Sequence, residues 1–218
     1  MKKTVLCLLF ATMALVPHLT NAQNLKNSGK SAAEIVPSGW AAMHAIGDLN
    51  NDGVNDMAII ATPNHKEKMR TREDGYVYNF NQPQLAIYWG VKGGGYKLYK
   101  NYDKVIPARE DEFISIDPSL EITKNGTLKI GLEYFASAGS WTQPTIIHVF
   151  RYQNGDFFLI GKDVTELERN SGKTVVTSDN YLTGKRIVTT SDSKSKTQAK
   201  RSDLSKSALK PLGFKLDD

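Results

Sequence analysis

Leu128, Ile130, Leu132 and Tyr134 alternate with Lys129, Gly131 and Glu133, and this two-residue period constrains the fold more than any other feature of the chain. Side chains along a strand point to opposite faces in turn, so such a run lays one apolar face on a core and turns the other towards water. Leu120 and Ile122 alternate in the same way just upstream, and Asn125-Gly126 between the two runs tolerates the positive φ that a tight hairpin turn demands. The device recurs. Ile146 to Tyr152 leads through Asn154-Gly155 into Phe157 to Ile160, and Leu85 to Trp89 leads through Gly93-Gly94-Gly95 into Tyr96 to Tyr99. Thr174 to Thr177 and Arg186 to Thr189 add strands, and no long segment shows the 3.6-residue period of an amphipathic helix. The expected fold is all-β: an antiparallel meander of hairpins, propeller-blade-like or a sandwich.

The two ends read differently from this middle. Lys2 and Lys3, an apolar segment from Val5 to Val16 and Thr20-Asn21-Ala22 predict a signal peptide over residues 1–22, cut before Gln23. Spanning a bilayer takes about 20 apolar residues, more than this run offers before Pro17-His18, and nothing later is apolar for long enough. The expected product is periplasmic or secreted, with no transmembrane segment. Cys7 is the only cysteine and lies inside the leader, where Val5-Leu6 ahead of it argues against lipidation. A chain from Gln23 on therefore has no disulfide and must be held by a core. The leader carries two lysines and no acids, so without it the net charge falls from +5 to +3. Such a mild excess gives no reason to expect a nucleic-acid partner.

Residues 23–35 are polar and predict a loose N-terminal arm with at most a short helix around Ala32 to Ile35. The antiparallel β domain is expected over residues 36–190, opening at Val36-Pro37-Ser38-Gly39-Trp40. Residues 191–218 predict a Ser/Lys-rich tail: Lys194, Lys196, Lys200 and Arg201 are diluted with serine and lack interleaved aromatics, which suits a solvated segment better than a polyanion contact. Leu209 to Phe214 is the part of that tail able to return and dock.

The stretch GDLNNDGVND, residues 47–56, gathers oxygen in a way that a plain loop does not need. Calcium takes six to eight hard oxygen ligands, so a short loop that binds it carries carboxylates and carbonyls at alternate positions while the chain curls round the ion. Asp48, Asn50 and Asp52 supply that alternation, Gly53 permits the sharp turn, the carbonyl of Val54 offers a backbone ligand, and Asp56 follows. An EF-hand would need a bidentate Glu at the twelfth position and flanking helices; Ile59 stands there, inside the apolar run Met57 to Ala61. The loop is expected to join strands. The rival reading is a polar turn needing no metal, because Asp, Asn and Gly are good turn residues in their own right.

From Ile46 to Ile60 the chain resembles the calcium loop of FG-GAP and VCBS-type repeats, the blades of integrin-like β-propellers and of many secreted bacterial proteins. The resemblance implies calcium held by the side chains of Asp48, Asn50, Asp52 and Asp56 and the carbonyl of Val54. Only one copy of the motif occurs, whereas a propeller repeats its blade about every 40 to 50 residues. More loosely, Pro37-x-Gly39-Trp40, Gly139-Ser140-Trp141, Phe150-Arg151-Tyr152 and Leu182-Thr183-Gly184-Lys185 resemble a group of exported bacterial proteins, a likeness that brings no activity with it.

Other signals are weaker. Gly29-Lys30-Ser31 lacks the upstream glycine of a phosphate loop, since Asn24 stands there, and Arg186 spoils Thr183-Gly184-Lys185. Ser140 lacks a nucleophile elbow and predicts a turn. His44, His65 and His148 show no zinc spacing, and His148 shares a strand face with Ile146 and Phe150, which predicts a hydrogen-bonded core or edge histidine. Glu110-Asp111-Glu112 predicts a solvated loop. Trp40, Trp89 and Trp141 predict core packing, with an exposed aromatic platform as the sharper alternative. Taken together these features predict an exported calcium-binding β domain acting as a binding or interaction module of the cell envelope, with a protein or glycan partner. The alternatives are a secreted hydrolase acting on glycans and a structural envelope component.

Overall fold

The computed structural model describes residues 24–192 and 197–216, so the expected signal peptide, Cys7 included, lies outside the described residues. The strands are β1 (Ser28–Gly29), β2 (Ala41–Gly47), β3 (Asp56–Thr62), β4 (Met69–Thr71), β5 (Val77–Asn79), β6 (Gln84–Gly90) and β7 (Tyr96–Tyr102). They continue as β8 (Ile114–Ile122), β9 (Thr127–Ala136), β10 (Thr142–Gln153), β11 (Asp156–Glu168), β12 (Thr174–Asn180), β13 (Lys185–Ser191) and β14 (Gln198–Asp203). A one-turn helix, α1 (Ala32–Ile35), starts at Ser31, whose Oγ accepts from the Glu34 amide at 3.4 Å.

The fold is nearly all-β and its pairings are antiparallel. A five-stranded sheet runs β1-β7-β6-β3-β2, a seven-stranded sheet runs β14-β13-β12-β11-β10-β9-β8, and β4 with β5 makes a small ribbon. The larger sheet is a true meander, its strands paired in sequence order, and one of the sheets curls into a half-barrel. Its alternating runs pair as their spacing predicts, with Leu120 opposite Ile130 and Arg151 opposite Phe158 across the two Asn-Gly hairpins. The Gly-rich hairpin joins β6 to β7.

The main core lies between the sheets. Leu128, Ile130 and Leu132 of β9, Phe150 of β10 and Phe157 of β11 meet Ala58, Ile60, Leu85 and Ile87 of the smaller sheet. Their neighbours Met57, Ile59 and Ala61 on β3, with Ala86 and Tyr88 on β6, point the other way and are also buried. Strands buried on both faces read as continuous apolar runs, which is why Met57 to Ala61 shows no alternation.

The second face of β3 and β6 needs a cover, and the N-terminal arm provides it. Instead of lying loose, the arm buries Leu25 and Ile35 with Trp40 against that face. The Lys26 amide donates to the Ile35 carbonyl at 3.1 Å, the Leu98 amide to the Asn27 carbonyl at 2.8 Å, and the Tyr88 hydroxyl to the Lys26 carbonyl at 3.0 Å. Three apolar side chains scattered among polar ones suffice for this, too few to stand out in composition.

The Ser/Lys-rich C-terminal segment also departs from a simple tail. Gln198–Asp203 pairs as β14 with β13, an edge strand whose residues are all exposed. Beyond it the chain returns: the Leu159 amide donates to the Lys210 carbonyl at 2.9 Å and the Leu212 amide to the Phe157 carbonyl at 2.8 Å, and Leu212 and Leu216 enter the core. Backbone pairing needs no apolar side chains on an edge strand, so β14 carried no hydrophobic pattern to read.

Candidate functional site

The acidic turn joins β2 to β3, and its side chains wrap its own backbone. The Asp48 carboxylate accepts the Asp52 amide at 3.2 Å on Oδ1 and the Gly53 amide at 2.9 Å on Oδ2. Asn50 Oδ1 accepts the Asp52 amide at 3.0 Å, while its Nδ2 donates to Asp52 Oδ2 at 3.1 Å. Asp52 Oδ1 accepts the Val54 amide at 2.8 Å. Gly53 sits at φ 82°, the left-handed turn that glycine adopts without strain.

Asp56 plays a different part from the other three. Its side chain is fully buried at the start of β3, where Oδ2 accepts the Leu49 amide and Oδ1 the Gly90 amide, both at 2.8 Å. Burial pushes this carboxyl up; the two amides oppose that, and the charges of Asp52 and Asp48 push it further up. The carboxylates of Asp48, Asp52 and Asp56 therefore lie within electrostatic reach of one another.

The turn stands at the seam between the sheets. Leu49, its one apolar residue before Val54, is buried in the main core. Gly126, in the β8–β9 turn of the other sheet, approaches so closely that a Cβ there would lie 2.8 Å from the Asp48 carbonyl oxygen. The second Asn-Gly turn does the same on the other side: the Tyr99 hydroxyl of β7 donates to the Gly155 carbonyl at 2.8 Å.

Among the described residues no three His, Cys, Asp or Glu side chains are gathered as a metal-holding group. The loop's carboxylates are turned onto its own amides, yet each ionised carboxylate offers about four lone-pair sites, so the amides leave acceptor capacity for a hard cation. Asp48, Asn50, Asp52 and the Val54 carbonyl are the residues that could hold one at the rim, with Asp56 below them.

A second site lies elsewhere on the larger sheet. A cavity of about 610 Å³ opens between β10–β11, the β12–β13 turn and the returning chain from Leu204 to Lys210. His148 lines it and is fully buried, and neither ring nitrogen has a hydrogen-bond partner. Burial, reinforced by the charges of Lys162 and Lys210, pushes the ring down to about 4. The histidine predicted in the core is there, but the hydrogen bonds predicted for it are not. Half of the wall comes from the returning chain, whose docking was visible in sequence only as the apolar residues from Leu209 to Phe214.

The remaining candidates stay apart. Trp40 is buried and Trp89 packs with Tyr99, Tyr152 and Phe157 at the seam, but Trp141 is 73% exposed, against the core packing expected of it. His44 lies on β2, while His65 sits beside Trp40 at 6.2 Å between ring centroids. Ser140 caps its own turn, its Oγ donating to the Thr142 carbonyl at 2.9 Å. Glu110 and Glu112 are exposed, in ion pairs with Lys215 and Arg70. Compared with protein families, curated proteins and solved structures, the chain finds no match in any of the three.

Proposed function

We propose that this is an exported β domain that binds calcium in the acidic turn and works as a binding or interaction module of the cell envelope, the ion having a structural rather than a catalytic role. The observation that carries the reading is an oxygen-rich loop that also ties the two sheets together, in which the charges of Asp52 and Asp48 act on the buried Asp56 carboxyl. A cation there would offset the negative charge that Asp52 and Asp48 bring towards Asp56, and would stiffen the seam. Because it would bind the folded loop alone, it would stabilise the fold by about 1.4 kcal/mol once calcium is about tenfold above its Kd.

Support for the interaction role comes from the far end of the larger sheet. Trp141 is exposed there with Phe113 and Phe135, and the Arg169 guanidinium lies 4.6 Å over the Phe135 ring. Flat aromatic faces with a polar neighbour suit a protein or glycan partner. The glycan-hydrolase alternative needs two carboxylates facing each other across a sugar, and the described residues lining the large cavity include neither Asp nor Glu.

The test is the melting temperature of the purified protein in excess EDTA, then with calcium or magnesium restored. A calcium-specific rise that disappears in Asp48→Ala and in Asp52→Ala is the expected result. An unchanged melting temperature across millimolar calcium, with no heat of binding, would reduce the turn to a polar connection between β2 and β3.

A further inference from the structure

His148 is a costly residue for its place. A buried nitrogen without a partner forfeits about 1 to 3 kcal/mol, and an apolar side chain of similar size would fill the position without that loss. The β10–β11 register shifts close by, between Val149 and Phe150, and bulges are over-represented beside functional sites. Lys162 stands directly opposite it on β11, on the same face of the sheet.

The cavity around it has a definite chemical character. Lys206 and Lys210 bring positive charge to its lining, and Lys162 adds its charge beside the His148 ring. The rest of the wall includes Leu159, Tyr181, Leu209 and Phe214, with Lys210 Nζ 3.7 Å above the Phe214 ring. Its volume of about 610 Å³ falls within the 300 to 1,000 Å³ of small-molecule sites. The outer wall is a single strip of chain, anchored where the Leu204 amide meets the Gly184 carbonyl and where the Leu159 amide meets the Lys210 carbonyl, both at 2.9 Å.

We propose that this cavity binds a small organic anion with an apolar body, its carboxylate or phosphate group received by the His148 ring with Lys206 and Lys210, its body lying against Leu159, Tyr181, Leu209 and Phe214. The neutral ring offers one N–H donor, which the acid group takes up; the lysines supply the opposite charge. Burial first, and the lysine charges second, keep the ring neutral; an anion next to it favours the protonated form, so binding and protonation of this ring are linked. This assigns a ligand class to the binding module proposed above, yet it shares no residue with the acidic turn. Loss of the calcium response would leave it standing, and its own failure would leave the calcium loop standing.

The test titrates the full chain with octanoate, octyl phosphate, octanol and inorganic phosphate, by calorimetry and by the NMR signal of the His148 ring. One or both octyl anions should bind, octanol and phosphate at least about tenfold more weakly, and the His148 titration should move to higher pH in the complex. Preference between octanoate and octyl phosphate identifies the acid group. Lys210→Gln, at an exposed side chain, should weaken the anion by about tenfold, and His148→Leu should narrow the preference for octanoate over octanol. Should His148→Leu fail to fold, Lys210→Gln and the ring signal of the unaltered protein decide the matter alone. Equal binding of octanol, an unmoved His148 signal, or no binding of either anion would overturn the proposal, leaving an apolar or water-filled hollow.

Discussion

Asp56 and His148 show opposite ways of burying a polar side chain. Asp56 is matched on both oxygens, so truncating it strands two buried amides; Asp56→Ala should cost about 2 to 4 kcal/mol in urea denaturation, and a variant as stable as the parent would mean that the turn is not held from below. His148 is unmatched and neutral. In the unfolded chain it takes up a proton near pH 6.5, but in the folded chain only near 4, held down by burial first and then by Lys162 and Lys210. Between those values the unfolded state binds more protons, so stability is intact above 6.5 and falls as the pH drops towards 4, by about 3 kcal/mol in all. Denaturation of the protein and of His148→Gln across that window isolates the term: the variant should lose less stability on acidification. Identical pH profiles would place the ring in contact with water after all.

At the scale of elements, the hairpins were legible because each was announced twice, by a two-residue period and by turn residues. Leu128 to Tyr134 and Asn125-Gly126 agree on one antiparallel pair, and β8–β9 forms it. The same local grammar left out what the turns do. Gly126 takes φ 69° and presses on the Asp48 carbonyl across the seam, so Gly126→Val should both strain the turn and push the acidic loop away. A loss of about 1 to 3 kcal/mol is expected, together with weaker binding of the calcium proposed for the loop. If stability falls while calcium affinity is untouched, the hairpin and the loop are not mechanically joined. β14 marks the limit from the other side: an exposed edge strand is held by backbone pairing, which polar side chains such as those of Gln198 to Asp203 do not advertise.

For the whole molecule, both ends of the described chain close the fold: the arm covers the outer face of β3 and β6, and the returning segment reaches the core through Leu212 and Leu216. Leu216 is fully buried, so Leu216→Ala should destabilise the entire domain by about 2 to 5 kcal/mol, read as a shift of the single urea midpoint. A midpoint equal to the parent's would make the docked end an accessory. What the sequence determined alone was local: strand period, hairpin turns, and an oxygen-rich loop between strands, because each depends on residues a few positions apart. Tertiary structure decided the rest. The seam that the acidic turn occupies, the cover over β3, and the cavity uniting His148 with Lys210 all join residues far apart in the chain. No spacing rule encodes such contacts, since they follow from which buried faces remain to be covered once the strands have paired.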